Sequence, residues 1–506
     1  MKFGFLFGAG AEVGYNLPLG SKFALDIFRF DNSNSKEVFK KKRDNVDPIT
    51  SYANDWLPKD YREKSISAFG KKVFQSIIKD TIEHNRNSII FKLNDFDSLA
   101  KKHILKMKKD DKDVVSVIET TLNKKLKNIK LSNSIRYIGE FQDGDKLFGS
   151  NYFSSLLLLY MKKDFWSSPI KRKEFGNMIL SIMQLQLGAL SENLTKRINE
   201  GVFSKKEVEI DLFDDLGDIV HLNYSETGLI GLEYLLDMRE SKTNTPEGII
   251  IRFIQLIIED IYASVLDYKS LIDSNWYYLY NPRYEWAKFT KICIFLMTVR
   301  EYILSKASNK IDNSNGYYNV LKESIDSNLF EVSEIATTNY NTFIEEILGE
   351  NVTYLNGSTD LWYDPYINKI GKESEILDDE NHIIVPLMFT QSGTKPMTAI
   401  NMSEKYVKTY KKWKKADALV VVGFGFGSDD EHINGMIRTL VDDDDKRLIV
   451  ITLQDQSKSE SEKAEELGKK LKVKNNDNIQ VIYVDNDGIS TADKRIWSEC
   501  LADLNP

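Results

Sequence analysis

The first residues in this chain whose types and spacing could do chemistry stand at its beginning. An apolar run over 3–7 leads into Gly8, Ala9 and Gly10, with a further glycine at 14. A strand ending in Gly-Ala-Gly lets the backbone turn sharply and approach a diphosphate with no Cβ in the way. Asn16 is then expected to cap a helix with Leu17 and Pro18 in its first turn, aiming N–H groups and the positive dipole end at the same spot. The spacing is not the dinucleotide fingerprint, because Val13 occupies the place of the third small residue. Taken alone, the motif reads equally well as a tight strand-to-helix turn without a ligand. Of the five histidines (His84, His103, His221, His382, His432) no two are spaced as a metal-binding pair, so surface or hydrogen-bonded roles are expected. His432 follows Gly427-Ser428-Asp429-Asp430 near a strand end, where an open α/β site should lie; its plainer role is a first-turn helix residue. His382 begins a strand and reads as structural. The aspartates 442–445 read as an exposed turn in preference to a cation site.

These residues need elements to hold them. In the last third, 334–340, 352–356, 382–387, 418–426, 447–453 and 479–485 are short runs rich in β-branched residues, the pattern of buried parallel strands. Helix-like stretches separate them at 341–348, 402–416, 429–441, 461–471 and 490–504. This alternation predicts an α/β fold with a doubly wound parallel sheet, Rossmann-like, with ligands at the carboxyl ends of its strands. The middle of the chain reads differently. Residues 245–272 offer Thr245 as a cap and Pro246 as first helical residue before an apolar helix, 154–165 and 175–190 are helix-like too, and β signals are sparse. A large, mainly α-helical insertion over 31–330 is therefore expected, with 305–318 as the loop returning to the sheet. The strand at 3–8 must join the C-terminal sheet across that insertion, since a lone strand leaves its edges bare.

Composition bounds the function. With 42% hydrophobic and 28% charged residues the chain is ordinary for a globular protein, and a net charge of −8 argues against a general polyanion binder. The lysine-dense segment 101–130 and the Tyr406, Tyr410, Trp413 stripe read as a solvated helical face and as packing against the sheet, so nucleic acid is not an expected partner. Cys293 and Cys500 are the only cysteines, too few for a disulfide framework or a cysteine zinc site, which fits a reducing cytoplasm. Lys2 and the apolar start imitate a signal peptide superficially, but glycines interrupt the run, and no stretch is apolar enough for a membrane span.

In combination the motifs say more. Gly-Ala-Gly with a downstream "LPLG", then "TTNYNTFIEEIL", "YLNGS", "IIVPL" and "ADALVVVGFGFGSDDEHIN", in this order, resembles the sirtuin superfamily and within it the divergent sirtuin-like proteins of bacteria. The resemblance covers about 1–30 and 331–506, which would form one discontinuous NAD-binding domain, with 31–330 as a sensing or oligomerisation insertion. It implies that Gly8, Ala9 and Gly10 line the NAD diphosphate with Thr337 beside them. Asn339 would hold the nicotinamide ribose and position the attacking water, and Gly423, Phe424 and Gly425 would lie by the adenosine ribose. Four positions depart from the family pattern. Asn356 replaces the usual histidine, Asn341 the usual aspartate, Glu12 a common serine, and Gly425 a frequent serine.

Breaking the bond between nicotinamide and ribose expels a neutral pyridine from a cation, so the leaving group needs no proton. The site has to stabilise an oxocarbenium-like centre and orient water. Asn339 and Asn356 can supply dipoles for this and Glu12 a charge. Deacylation asks more, because a ribose hydroxyl must be deprotonated by a base with a pKa near 7, which Asn356 cannot be. The paired cysteines of the deacylating relatives' zinc module are also missing. The expected activity is therefore hydrolysis of NAD+ to nicotinamide and ADP-ribose, with no metal, in a cytoplasmic antiphage effector held as a homo-oligomer until a phage component or companion protein releases it. A non-catalytic NAD or ADP-ribose sensor is the alternative that Asn356 favours, and a protein deacylase the third.

Overall fold

The computed structural model describes the chain except for residues 18–19, 70–85, 110, 130–146, 148, 191–234, 236–240, 264–274, 350–351, 377–380, 389–399, 428–429, 455–457, 486 and 505–506. The described residues form nine strands, in chain order β1 (Lys2–Phe7), β2 (Glu331–Thr337), β3 (Thr353–Tyr354), β4 (Gly357–Asp364), β5 (Lys369–Gly371), β6 (Val385–Met388), β7 (Ala418–Val422), β8 (Arg447–Leu453) and β9 (Ile479–Val484). Six form one all-parallel sheet in the order β3-β2-β1-β7-β8-β9, so the strand made first lies in the middle, between β2 and β7. The protein is thus an α/β protein with a parallel sheet compatible with a Rossmann-like fold. The strand order reverses direction at β1 and β7, and in such sheets the crevice outside the carboxyl ends at that reversal is where ligands bind.

β1 can sit there because both of its faces are apolar. Phe3, Phe5 and Phe7 enter one core with Tyr15, Tyr318, Phe330, Phe343 and Trp497, whereas Leu6 enters the opposite one with Trp413, Leu419 and Val421. Gly4 interrupts the aromatic run for a steric reason: a Cβ there would lie 2.4 Å from Cδ1 of Trp413. The aromatic stripe of the Ile400–Trp413 helix is thus packing against the sheet, with Tyr406 and Tyr410 at the margin of the same core.

Residues 382–387 depart from the parallel-strand expectation. β6 pairs antiparallel with β4 in a separate three-stranded sheet, β5-β4-β6. A run of four buried residues is equally at home in either sheet type, and the partner β4 decides it. The helix start near Asn16 is also corrected. Ala9–Tyr15 form a short 3-10 helix directly after β1, and Asn16 ends it in the left-handed conformation (φ 64°), while the next helix is Gly20–Arg29. Pro18 of the expected first turn, and Ser428 and Asp429 ahead of His432, lie outside the described residues.

The described residues of 31–330 contain helices and no strand. Among them, Pro246–Ala263 begins as the sequence predicts, with Thr245 Oγ1 accepting from the Gly248 N–H at 3.1 Å. The chain divides into two compact units, 1–23, 30–69 and 268–506 in the first, 24–29 and 70–267 in the second. The boundaries at 30 and 331 therefore differ from this division. Helices Ser33–Asn45, Trp286–Ala307 and Tyr317–Asp326 belong to the sheet unit, the last because Tyr318, Val320 and Leu321 enter the core that holds Phe7. Among the described residues no helix is long and apolar enough to cross a membrane.

Candidate active site

The carboxyl ends of β1, β2, β3 and β7 bring the sequence-selected residues to one edge of the sheet. Between β1 and β7 the contact is backbone on backbone. Gly423 turns with φ +67°, and a Cβ on it would lie 2.1 Å from the Ala11 nitrogen; a Cβ on Gly8 or Gly10 would lie within 2.7 Å of the Gly423–Phe424 backbone. The N–H groups of Gly8 and Gly10 donate to the carbonyls of Val422 and Gly423, each at 2.9 Å, and that of Ala11 donates to Gly8. These glycines thus let two strand-end turns interlock, and the amides of Gly8, Gly10 and Ala11 are spent inside the chain. Ala9 remains partly exposed, and nothing lies within 4 Å of the place where a Cβ on Gly425 would stand. Phe424 is buried against Phe426.

Between β1 and β2 the contact is polar. Thr337 is fully buried, and its hydroxyl donates to the Phe7 carbonyl while accepting from the Asn339 N–H at 3.0 Å, so it builds the turn that carries Asn339. Asn339 Nδ2 donates to the Gly8 carbonyl at 3.1 Å and to the Tyr318 hydroxyl at 3.2 Å. A carbonyl can only accept, which fixes the amide's orientation and leaves Oδ1 as the atom that can accept from a hydroxyl or water. Tyr318 Oη in turn donates to Glu12 Oε1 at 2.9 Å, and Asn341 Nδ2 donates to Glu12 Oε2 at 2.7 Å. Asn341 is held by its own Asx turn, accepting from the Phe343 N–H.

Glu12 is the electrostatic centre of this cluster. It is 4% exposed, and burial pushes its carboxyl from the ordinary 4.5 up to about 7; the hydrogen bonds from Asn341, Tyr318 and Asn339 pull the other way without cancelling desolvation. The same burial, together with the Glu12 charge, drives the Tyr318 hydroxyl far above its usual value, so it remains a proton donor to the carboxylate.

Tyr318 is the residue that sequence reasoning missed. It lies in the segment expected to be a connecting loop, and no local pattern marks it. Its place is set from far away: the Tyr15 hydroxyl accepts the N–H groups of Tyr318 and Asn319, capping the Tyr317–Asp326 helix, and the Tyr15 ring stacks on that of Tyr318 with centroids 5.4 Å apart.

Asn356 is fully buried at the carboxyl end of β3, tied to the same edge by the Leu355 N–H donating to the Thr337 carbonyl at 2.9 Å. Tyr406 Oη donates to the Leu355 carbonyl, and His432, in the first turn of the Glu431–Asp442 helix, packs edge-on against the Tyr406 ring at 5.6 Å. Among the described residues no group of histidine, cysteine and acidic side chains could hold a metal ion, and of the 442–445 aspartates Asp442, Asp444 and Asp445 are engaged by the Lys474 N–H, by Tyr410 with Lys414, and by Asn478. Comparison of the chain with protein-family models, curated proteins and solved structures gave no match in any of the three.

Proposed function

We propose that the protein is an NAD+ glycohydrolase, converting NAD+ and water to nicotinamide and ADP-ribose. The observation that carries this reading is the relay Asn339–Tyr318–Glu12, which holds an amide carbonyl in a fixed orientation beside the strand-order reversal and ends in a carboxyl that titrates near neutrality. The resemblance to sirtuin-like proteins supplies the substrate class. Within it, two of the departures touch each other: where the family has a serine and an aspartate, this chain has Glu12 and Asn341, 2.7 Å apart, so the pair keeps one carboxylate and one donor with the two exchanged between the β1 and β2 turns.

In this reading the nicotinamide ribose lies against Asn339, and Oδ1 accepts a hydrogen bond from the attacking water. The leaving nicotinamide departs as a neutral base, and cationic character grows on the ribose carbon. Glu12, ionised, stabilises that charge across a site with little water. It then takes up the proton that water loses on attack, directly or through the Tyr318 hydroxyl. The diphosphate runs past Ala9 and Gly425, the two open positions of the glycine crossing. Asn356, at the place of the family's histidine, cannot deprotonate a ribose hydroxyl, and Glu12 is assigned to the attacking water, so acyl transfer is not part of the proposal. The restraint such an enzyme needs in a cell, through a homo-oligomer and a phage-derived or companion trigger, belongs to the same reading.

The test is to incubate the purified protein with NAD+ and separate the products, with and without phage lysate. Nicotinamide and ADP-ribose are expected, and Asn339→Ala should abolish their formation while the chain stays folded by circular dichroism. Turnover undiminished in Asn339→Ala refutes the site. Intact NAD+ with measurable binding would instead support the sensor, the second reading, which the full burial of Asn356 in place of a histidine favours.

A further inference from the structure

Away from the strand-order reversal, the sheet unit contains a cavity of about 310 Å³ whose wall is cationic. Val38, Lys41, Lys42 and Asn45 recur at the three- and four-residue spacing of one helix face, so Ser33–Asn45 turns a single side toward it. Arg300 comes from Trp286–Ala307, Trp362 from β4, and His382 from the segment entering β6. The polar groups are held in place. Lys42 Nζ lies 4.4 Å and the Arg300 guanidinium 5.1 Å from the centre of the Trp362 ring, and Arg300 Nε donates to the Thr359 carbonyl at 2.6 Å. His382, 3% exposed, has its Nδ1 2.6 Å from a carboxylate oxygen of the fully buried Asp364, and its ring stacks on Tyr52 at 4.2 Å.

The charges do not balance. Lys41, Lys42 and Arg300 face one carboxylate, Glu373, which pairs with Lys42. The Asp364 carboxylate is directed at His382 behind the wall. Gathering cations around one indole is costly unless an anion neutralises them, although the ring's negative face offsets part of the repulsion. An excess of two positive charges matches the charge of a phosphate monoester near neutral pH, and the volume falls in the range of small-molecule sites.

We propose that the cavity bounded by Lys41, Lys42, Asn45, Arg300, Trp362 and His382 binds a phosphate monoester of sugar-phosphate size. Arg300 and the two lysines bind the phosphoryl oxygens, and Asn45 with the Asp364-oriented imidazole of His382 meets the polar remainder. The site is separate from Glu12 and Asn339 and stands whether or not NAD+ is hydrolysed.

Calorimetric titration of the full chain with ribose 5-phosphate, and with ribose as the uncharged control, tests it. Ribose 5-phosphate should bind and ribose should not. Lys41 and its neighbour Lys40 are both exposed on the same helix, but only Lys41 faces the cavity. Lys41→Glu should weaken binding about tenfold or more, whereas Lys40→Glu, with the same change in net charge, should change it by less than about twofold. Asn45→Asp should weaken it as well, and Asn339→Ala should leave it intact. The proposal is overturned by absence of binding to ribose 5-phosphate, by equal loss in the Lys40 and Lys41 variants, by unchanged affinity in both Lys41→Glu and Asn45→Asp, or by loss in Asn339→Ala.

Discussion

The end of β1 meets its two neighbours in opposite ways. Toward β7 the Gly8-Ala9-Gly10 turn and the Gly423 turn interlock through main chain alone, with no volume left for a single added carbon at three positions. Toward β2 it meets a polar cluster in which a buried carboxyl, a phenol and two amides satisfy one another. The glycines are the conspicuous feature of the sequence, yet their work is geometric. They bring two strand ends close enough that the side chains on the other flank acquire a fixed frame.

The largest expected effect breaks the first flank. Gly423→Ala forces a carbon onto the Ala11 nitrogen at a positive φ, so it should cost about 3–5 kcal/mol in urea unfolding, or prevent folding altogether. Next comes a pH effect on the second flank. Glu12 binds its proton more tightly folded than unfolded, so its contribution favours the native state in acid and is withdrawn as pH rises from about 4.5 through about 7, by up to about 3 kcal/mol. Relative to Glu12→Gln, the wild-type chain should lose stability over that window, and the proposed hydrolysis, which would draw on the ionised form, should rise through the same range. A pH-independent difference between the two proteins would show that Glu12 is not the titrating group. Tyr318→Phe removes one link of the relay and should cost about 1–2 kcal/mol, with a fall in turnover and little change in KM. The smallest effect sharpens the contrast: Gly425→Ala, in the same turn as Gly423 but in open space, should change stability by no more than about 0.5 kcal/mol.

Much of the sheet was legible because a strand covered on both faces has to be apolar throughout. The runs at 418–422, 447–453 and 479–484, and the recruitment of residues 3–7 across the chain, follow from that rule. β4 and β5 were not read as strands, since "GSTDLWYD" and "KIG" mix polar and apolar residues and gain their order from antiparallel partners. The site was legible at Glu12 and Asn339, whose turns lie beside recognisable strands. Tyr318 and the near-neutral ionisation of Glu12 were not, because Tyr318 is placed by Tyr15 and Phe343, and Glu12 meets Tyr318, Asn339 and Asn341, all far from it in sequence.

The central position of β1 sets a timetable for biosynthesis. The ribosome makes this strand before its neighbours in the sheet, and its two hydrogen-bonding flanks wait for residues 331–337 and 418–422, more than three hundred residues later. Until then a stretch carrying three phenylalanines has no native partner, so newly made chains should lean on chaperones, and messages cut short before β7 should yield insoluble fragments instead of a smaller working protein.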